Sequence, residues 1–93
     1  MWTEIHLLEP EDQLADAADA DPRWSRAESA NYWQRWVFQA PGLPPVGLYL
    51  GRGVGPTRSP ERLKKVDTWP TRRDADPAGI ALALKEAVAS LQS

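Results

Sequence analysis

Apolar residues recur at two different spacings along this chain, and the change between them marks out the elements. Thr3, Ile5 and Leu7 are two apart, which predicts a strand over residues 2–8, with Leu8 breaking the polar side of the alternation. Pro10 then opens a short helix running to Ala20. Glu9, Glu11 and Asp12 sit where they favour the positive end of its dipole, and Leu14, Ala15, Ala17 and Ala18 are good helix formers. Its apolar stripe is thin enough to fit a loop as well, and Asp21-Pro22 ends it. Residues 24–40 read two ways. Tyr32, Trp33, Trp36, Val37 and Ala40 fit a helical stripe, whereas Tyr32, Gln34, Trp36 and Phe38 fit one face of a strand. Aromatic and β-branched enrichment favours the strand, over about residues 32–39.

The run Ala40-Pro41-Gly42-Leu43-Pro44-Pro45 breaks the chain, and Val46, Leu48 and Leu50 alternate after it as the second arm of a hairpin. Residues 51–60 hold three glycines and two prolines and predict a turn or mobile loop. Glu61 to Trp69 reads as a further strand closed by Pro70. Asp76-Pro77 starts the clearest helix, because Asp76 can cap free N–H groups and Pro77 has no N–H to waste at the first helical position. Ile80, Ala81, Leu84, Ala87, Val88 and Leu91 form its apolar face. The order strand, helix, strand, strand, strand, helix predicts an α+β fold. It is a small antiparallel sheet of three to four strands with the C-terminal helix packed on one face.

Composition changes this picture in two ways. The 93 residues suit one domain, 1–93, with a modest core, and the five tryptophans (Trp2, Trp24, Trp33, Trp36 and Trp69) enlarge what few core positions can bury. Cysteine is absent, which excludes disulfides and thiolate metal sites. No apolar run approaches the roughly 18–20 residues that cross a bilayer, so no membrane contact is expected. Met1-Trp2-Thr3-Glu4 shows neither a positive region nor an apolar core of a signal peptide, so a cytoplasmic location is expected.

Charge is segregated along the chain although the net value is only −2. Residues 1–31 hold eight acids against Arg23 and Arg26. Residues 32–73 hold eight bases against Glu61 and Asp67. Catalytic signatures are missing. His6 is the one histidine, without the companions a metal site or triad needs, and reads as a strand residue. Gly51-Arg52-Gly53-Val54-Gly55 is followed by Pro56-Thr57, where a phosphate loop requires Lys-Ser or Lys-Thr. No catalytic residue, metal, cofactor or small-molecule substrate is therefore expected.

The stretch from Arg52 to Arg73 carries more. Arg52, Arg58, Arg62, Lys64, Lys65, Arg72 and Arg73 can neutralise phosphates, and Trp69 offers a ring for an unpaired base. Asn31-Tyr32, the run Leu50-Gly51-Arg52-Gly53-Val54-Gly55, and Val66 to Ala75 leading into the last helix together resemble the WGR domain. Leu50 stands where that family has its naming tryptophan. The resemblance implies a DNA-contact role centred on Arg52. The first expectation is thus a non-enzymatic module contacting nucleic acid through residues 52–73. The alternative is a small protein-binding inhibitor or immunity-type protein, phage- or plasmid-encoded and for example anti-CRISPR-like. It would use Glu11, Asp12 and Asp16 of the acidic third with exposed Trp24 and Trp33 as anchors.

Overall fold

The computed structural model describes residues 4–28, 33–52, 62–68 and 76–92. Five strands and two helices follow in the order β1 (Glu4–His6), α1 (Glu11–Ala20), β2 (Trp24–Arg26), β3 (Trp33–Phe38), β4 (Val46–Arg52), β5 (Arg62–Asp67) and α2 (Pro77–Leu91). The strands form one antiparallel sheet in the spatial order β1-β5-β4-β3-β2. The α+β class and the C-terminal helix on one face are as the periodicity predicts. The sheet gains a fifth strand because Trp24–Arg26 pairs with Trp36–Phe38 and forms an edge. The ambiguous stretch 24–40 therefore holds two strands. Gly51 and Arg52, expected in a loop, continue β4.

Alternation along the strands decides what each face buries. On one face Trp36, Phe38, Val46, Leu48, Leu50 and Val66 join Leu14 and Ala18 of α1 and Ile80, Ala83, Leu84, Ala87 and Leu91 of α2 in a single core. Both helices pack against β4 and against each other on this side. In α2 the buried stripe takes Ala83 in place of the expected Ala81, which is exposed. Asp76 accepts a hydrogen bond from the Gly79 N–H at 3.3 Å, and Pro77 occupies the first turn.

Two local devices set the register of the β3–β4 hairpin. The Leu43 N–H reaches the Ala40 carbonyl at 3.1 Å, and Gly42 takes φ 75°, the conformation a type II turn requires after Pro41. Gly47 lies beneath the Tyr49 ring, so closely that a Cβ there would stand 2.8 Å from Tyr49 Cε2.

The β2 edge is fastened to both helices by side chains. Asp19 at the end of α1 accepts two hydrogen bonds from the Arg26 guanidinium, at 3.1 and 2.8 Å, and one from Trp36 Nε1 at 2.9 Å. Arg26 also lies over the Trp36 ring, 5.1 Å from its centre. Trp24 Nε1 donates to Ser90 Oγ of α2 at 2.7 Å. Arg23 grips Asp21 through two side-chain hydrogen bonds, at 3.0 and 2.7 Å, and lies over Phe38.

Candidate functional site

Among the described residues, no helix packs on the other face of the sheet. Inward placement of Val46, Leu48 and Leu50 forces Gly47, Tyr49 and Gly51 to that side. Tyr49 is at its centre. Arg35 of β3 and Lys65 of β5 stand directly opposite it on either hand, and His6 of β1 stands opposite Lys65, so one row crosses four strands. A second row holds Glu4, Asp67, Gly47, Val37 and Ser25. Trp33, opposite Gly51, extends the face toward the far end of β4.

The aromatic pair and the two cations surround the phenol. The Trp33 and Tyr49 ring centres are 5.6 Å apart and tilted by 56°. Arg35 Cζ lies 5.8 Å and Lys65 Nζ 5.7 Å from the Tyr49 ring centre, within cation–π range. Tyr49 is only 7% exposed. Burial pushes its phenol above the usual value; Asp67 adds to the rise, while Arg35 and Lys65 oppose it. The hydroxyl is therefore a proton donor at neutral pH.

The two cations differ in their company. Lys65 Nζ is 2.8 Å from Glu4 and 3.4 Å from Asp67, which is itself buried. Burial works to lower the ammonium's pKa, but its hydrogen bond to Glu4 and the charge of Asp67 outweigh that and raise it. In return Lys65 holds the Glu4 carboxyl below the usual range, first through the hydrogen bond and then through its charge. Arg35 has no carboxylate partner among the described residues. Three polar atoms on this face are buried without any hydrogen-bond partner: Trp33 Nε1, Arg35 Nε and the Tyr49 hydroxyl.

The residues expected to contact nucleic acid are divided by the pleat. Lys64 and Lys65 are neighbours in sequence and point to opposite sides of the sheet. Lys64 Nζ donates to the backbone carbonyls of Leu8 and Glu9, at 3.3 and 3.0 Å, on the helix-covered side. Arg52 and Arg62 are registered opposite each other at the end of the β4–β5 ladder. Arg58, Trp69, Arg72 and Arg73 lie outside the described residues.

Of the residues expected at a protein interface, Trp24 is a correction. It is buried against Phe38, with ring centres 5.0 Å apart, because pairing of β2 with β3 turns it into the core. Trp33 is partly buried on the helix-free face. Asp12 and Asp16 are exposed on α1, while Glu11 is partly buried and engaged with a neighbour. Asp12, Asp16, Ala17, Ala20 and Arg23 line a surface groove of about 1010 Å³ that reaches Ser90 of α2.

Arg35 and Tyr49 were not singled out from the sequence. The available signal was an aromatic residue out of phase with Val46, Leu48 and Leu50, which places a large ring away from the helices. Among the described residues no three histidines, cysteines or acids converge as metal ligands, and no helix is long and apolar enough to cross a membrane. Comparison with family models, with curated proteins and with solved structures returns no match.

Proposed function

We propose that this chain is a non-enzymatic nucleic-acid contact module that presents the helix-free face of its sheet to the strand. One observation carries the reading: Trp33, Tyr49 and the guanidinium of Arg35, which has no carboxylate partner among the described residues, stand together on the face of the sheet away from both described helices. The partly exposed Trp33 ring beside a cation suits a flexible single strand, whose bases stack while its phosphates are neutralised. Arg52 and Arg62, paired at the end of the β4–β5 ladder, belong to the basic stretch 52–73 and can neutralise phosphates at its margin. Arg58, Arg72, Arg73 and Trp69 belong to the same basic stretch of the sequence. The resemblance to WGR domains at Leu50-Gly51-Arg52 agrees with a DNA-contact role.

The test is fluorescence anisotropy with labelled single-stranded and duplex oligonucleotides at rising salt. Binding should weaken steeply, each neutralised phosphate adding about −0.7 (single strand) or −0.9 (duplex) to the slope of log K against log salt. Paired replacement of Arg52 and Arg62 by Gln should reduce that slope. Absence of binding to every oligonucleotide at low salt would overturn the proposal.

The α1 surface supports a second reading, as a protein-binding inhibitor or immunity-type module. Asp12 and Asp16 are exposed one turn apart beside the groove, where a cationic partner would be steered to them. Asp12→Asn with Asp16→Asn should then abolish capture of a specific partner and leave oligonucleotide binding unchanged.

A further inference from the structure

We propose that the groove between α1 and the last turn of α2 seats a lysine- or arginine-bearing segment of another protein. The inference rests on the protein-binding reading of α1 and names the chemistry of the partner. The groove encloses about 1010 Å³. Part of its lining is carbon: the side chains of Pro10, Ala17, Ala20 and Pro22 offer neither donor nor acceptor. Another part is acidic. Asp12 and Asp16 line the groove and both are exposed, so an incoming side chain reaches them without any rearrangement.

Charge decides the sign of the occupant. Of the other charged residues in the lining, Asp21 is paired with Arg23, which also stands 3.8 Å from Glu86. Asp12 and Asp16 are left uncompensated, one helical turn apart, where like charges repel. No base among the described residues pairs with either. Both helices also bring their last turns to the groove, at Ala20 and at Ser90. The negative end of the helix dipole lies there, and neither last turn holds a base. A cation is the complement of this arrangement. Among the described residues no three metal-ligating side chains converge, which sets a metal ion aside. The mixed lining then selects the kind of cation. Lysine and arginine lay a methylene stem along apolar surface and carry their charge at its end, so one side chain meets both the carbon and the carboxylates.

The experiment titrates the ¹⁵N-labelled full chain with two short capped peptides. One alternates lysine with alanine. The other has diaminobutyrate in place of lysine, which keeps the charge and removes two methylenes from each stem. The lysine peptide should shift the amide resonances of α1 and of Ser90. Its affinity, read by fluorescence anisotropy, should fall about fivefold or more at low salt in Asp12→Asn with Asp16→Asn. Glu28→Gln neutralises an exposed acid that does not line the groove and should leave the affinity unchanged. Ala20→Arg places a base of the chain's own in the groove and should weaken the peptide as well. That base suits the end of α1, so the variant should keep its melting temperature. The diaminobutyrate peptide should bind about threefold or more weakly than the lysine peptide.

No shift of these resonances would overturn the proposal. So would equal affinity for the two peptides, or a loss in Glu28→Gln as large as in Asp16→Asn alone, since charge without place would then account for binding. Self-association of the chain that Asp12→Asn with Asp16→Asn abolishes would overturn it too, and assign the groove to a second copy. A specific protein partner whose capture no groove variant affects would overturn the groove and keep the protein-binding reading. Peptide binding in the groove without any oligonucleotide binding would support the proposal and remove the nucleic-acid reading.

Discussion

The two faces of this sheet treat the same kinds of side chain in opposite ways. On the helix-covered side, Trp24 Nε1 is bound by Ser90, Trp36 Nε1 by Asp19, and Lys64 Nζ by two carbonyls. On the other side, the nitrogen of Trp33, Nε of Arg35 and the hydroxyl of Tyr49 have no partner. A satisfied buried group holds the fold in one arrangement, whereas an unsatisfied one costs about 1–3 kcal/mol until an acceptor arrives. The polar groups of the helix-covered side thus contribute to stability, whereas these three atoms of the opposite side do not.

Replacing Trp36 with Ala strikes the committed side hardest. Its ring is 1% exposed and its nitrogen ties Asp19 to the sheet, so the loss should be about 3–5 kcal/mol in chemical denaturation. Trp33→Ala should cost clearly less, since Trp33 is only partly buried and its nitrogen is unbound; equal losses would erase the contrast between the faces. Next comes Gly47→Ala, which sets a methyl against Tyr49 Cε2 and should destabilise by about 1–3 kcal/mol. That variant should also displace the Tyr49 ring, which near-ultraviolet circular dichroism would report. Ser90→Ala strands the buried Trp24 nitrogen and should cost about 1–2 kcal/mol by the same denaturation measurement.

Acid titration sharpens the comparison in a milder way. Hydrogen bonds from Arg26, then from Trp36, hold the Asp19 carboxyl below its ordinary value of 3.8. Folding therefore favours the ionised form. The stabilisation is present above that ordinary value and is lost as pH falls through the lower, folded one. In melting temperature against pH, Asp19→Asn should be less stable than the native chain near neutrality and converge with it below the ordinary value. A constant gap at all pH values would contradict the linkage. The smallest effect belongs to Tyr49→Phe, which should leave the melting temperature unchanged or slightly raised, since no hydrogen bond is lost. A clear loss of stability would mean that the hydroxyl is already satisfied.

What could be read from the sequence follows the range of the forces involved. The start of α2 depends on neighbouring residues, an aspartate cap and a proline, and both act as expected at Asp76 and Pro77. Alternation over Val46, Leu48 and Leu50 likewise placed β4. Trp24–Arg26 escaped notice because three residues show no period, and only pairing with β3 makes them a strand. The candidate site was hidden for a similar reason. Arg35, Tyr49 and Lys65 are brought side by side by ladder register alone, and charge counted along the chain joined Lys64 to Lys65 although the pleat separates them. Asp12 and Asp16 were legible as surface carboxylates because α1 has a short apolar stripe. The burial of Trp24 was not legible.

Both outermost strands, Glu4–His6 and Trp24–Arg26, are three residues long and carry ionisable side chains. Among the described residues, an incoming extended peptide would find little free backbone to zip onto along either of these strands. Neither border, within those residues, then offers a long strand for β-strand addition.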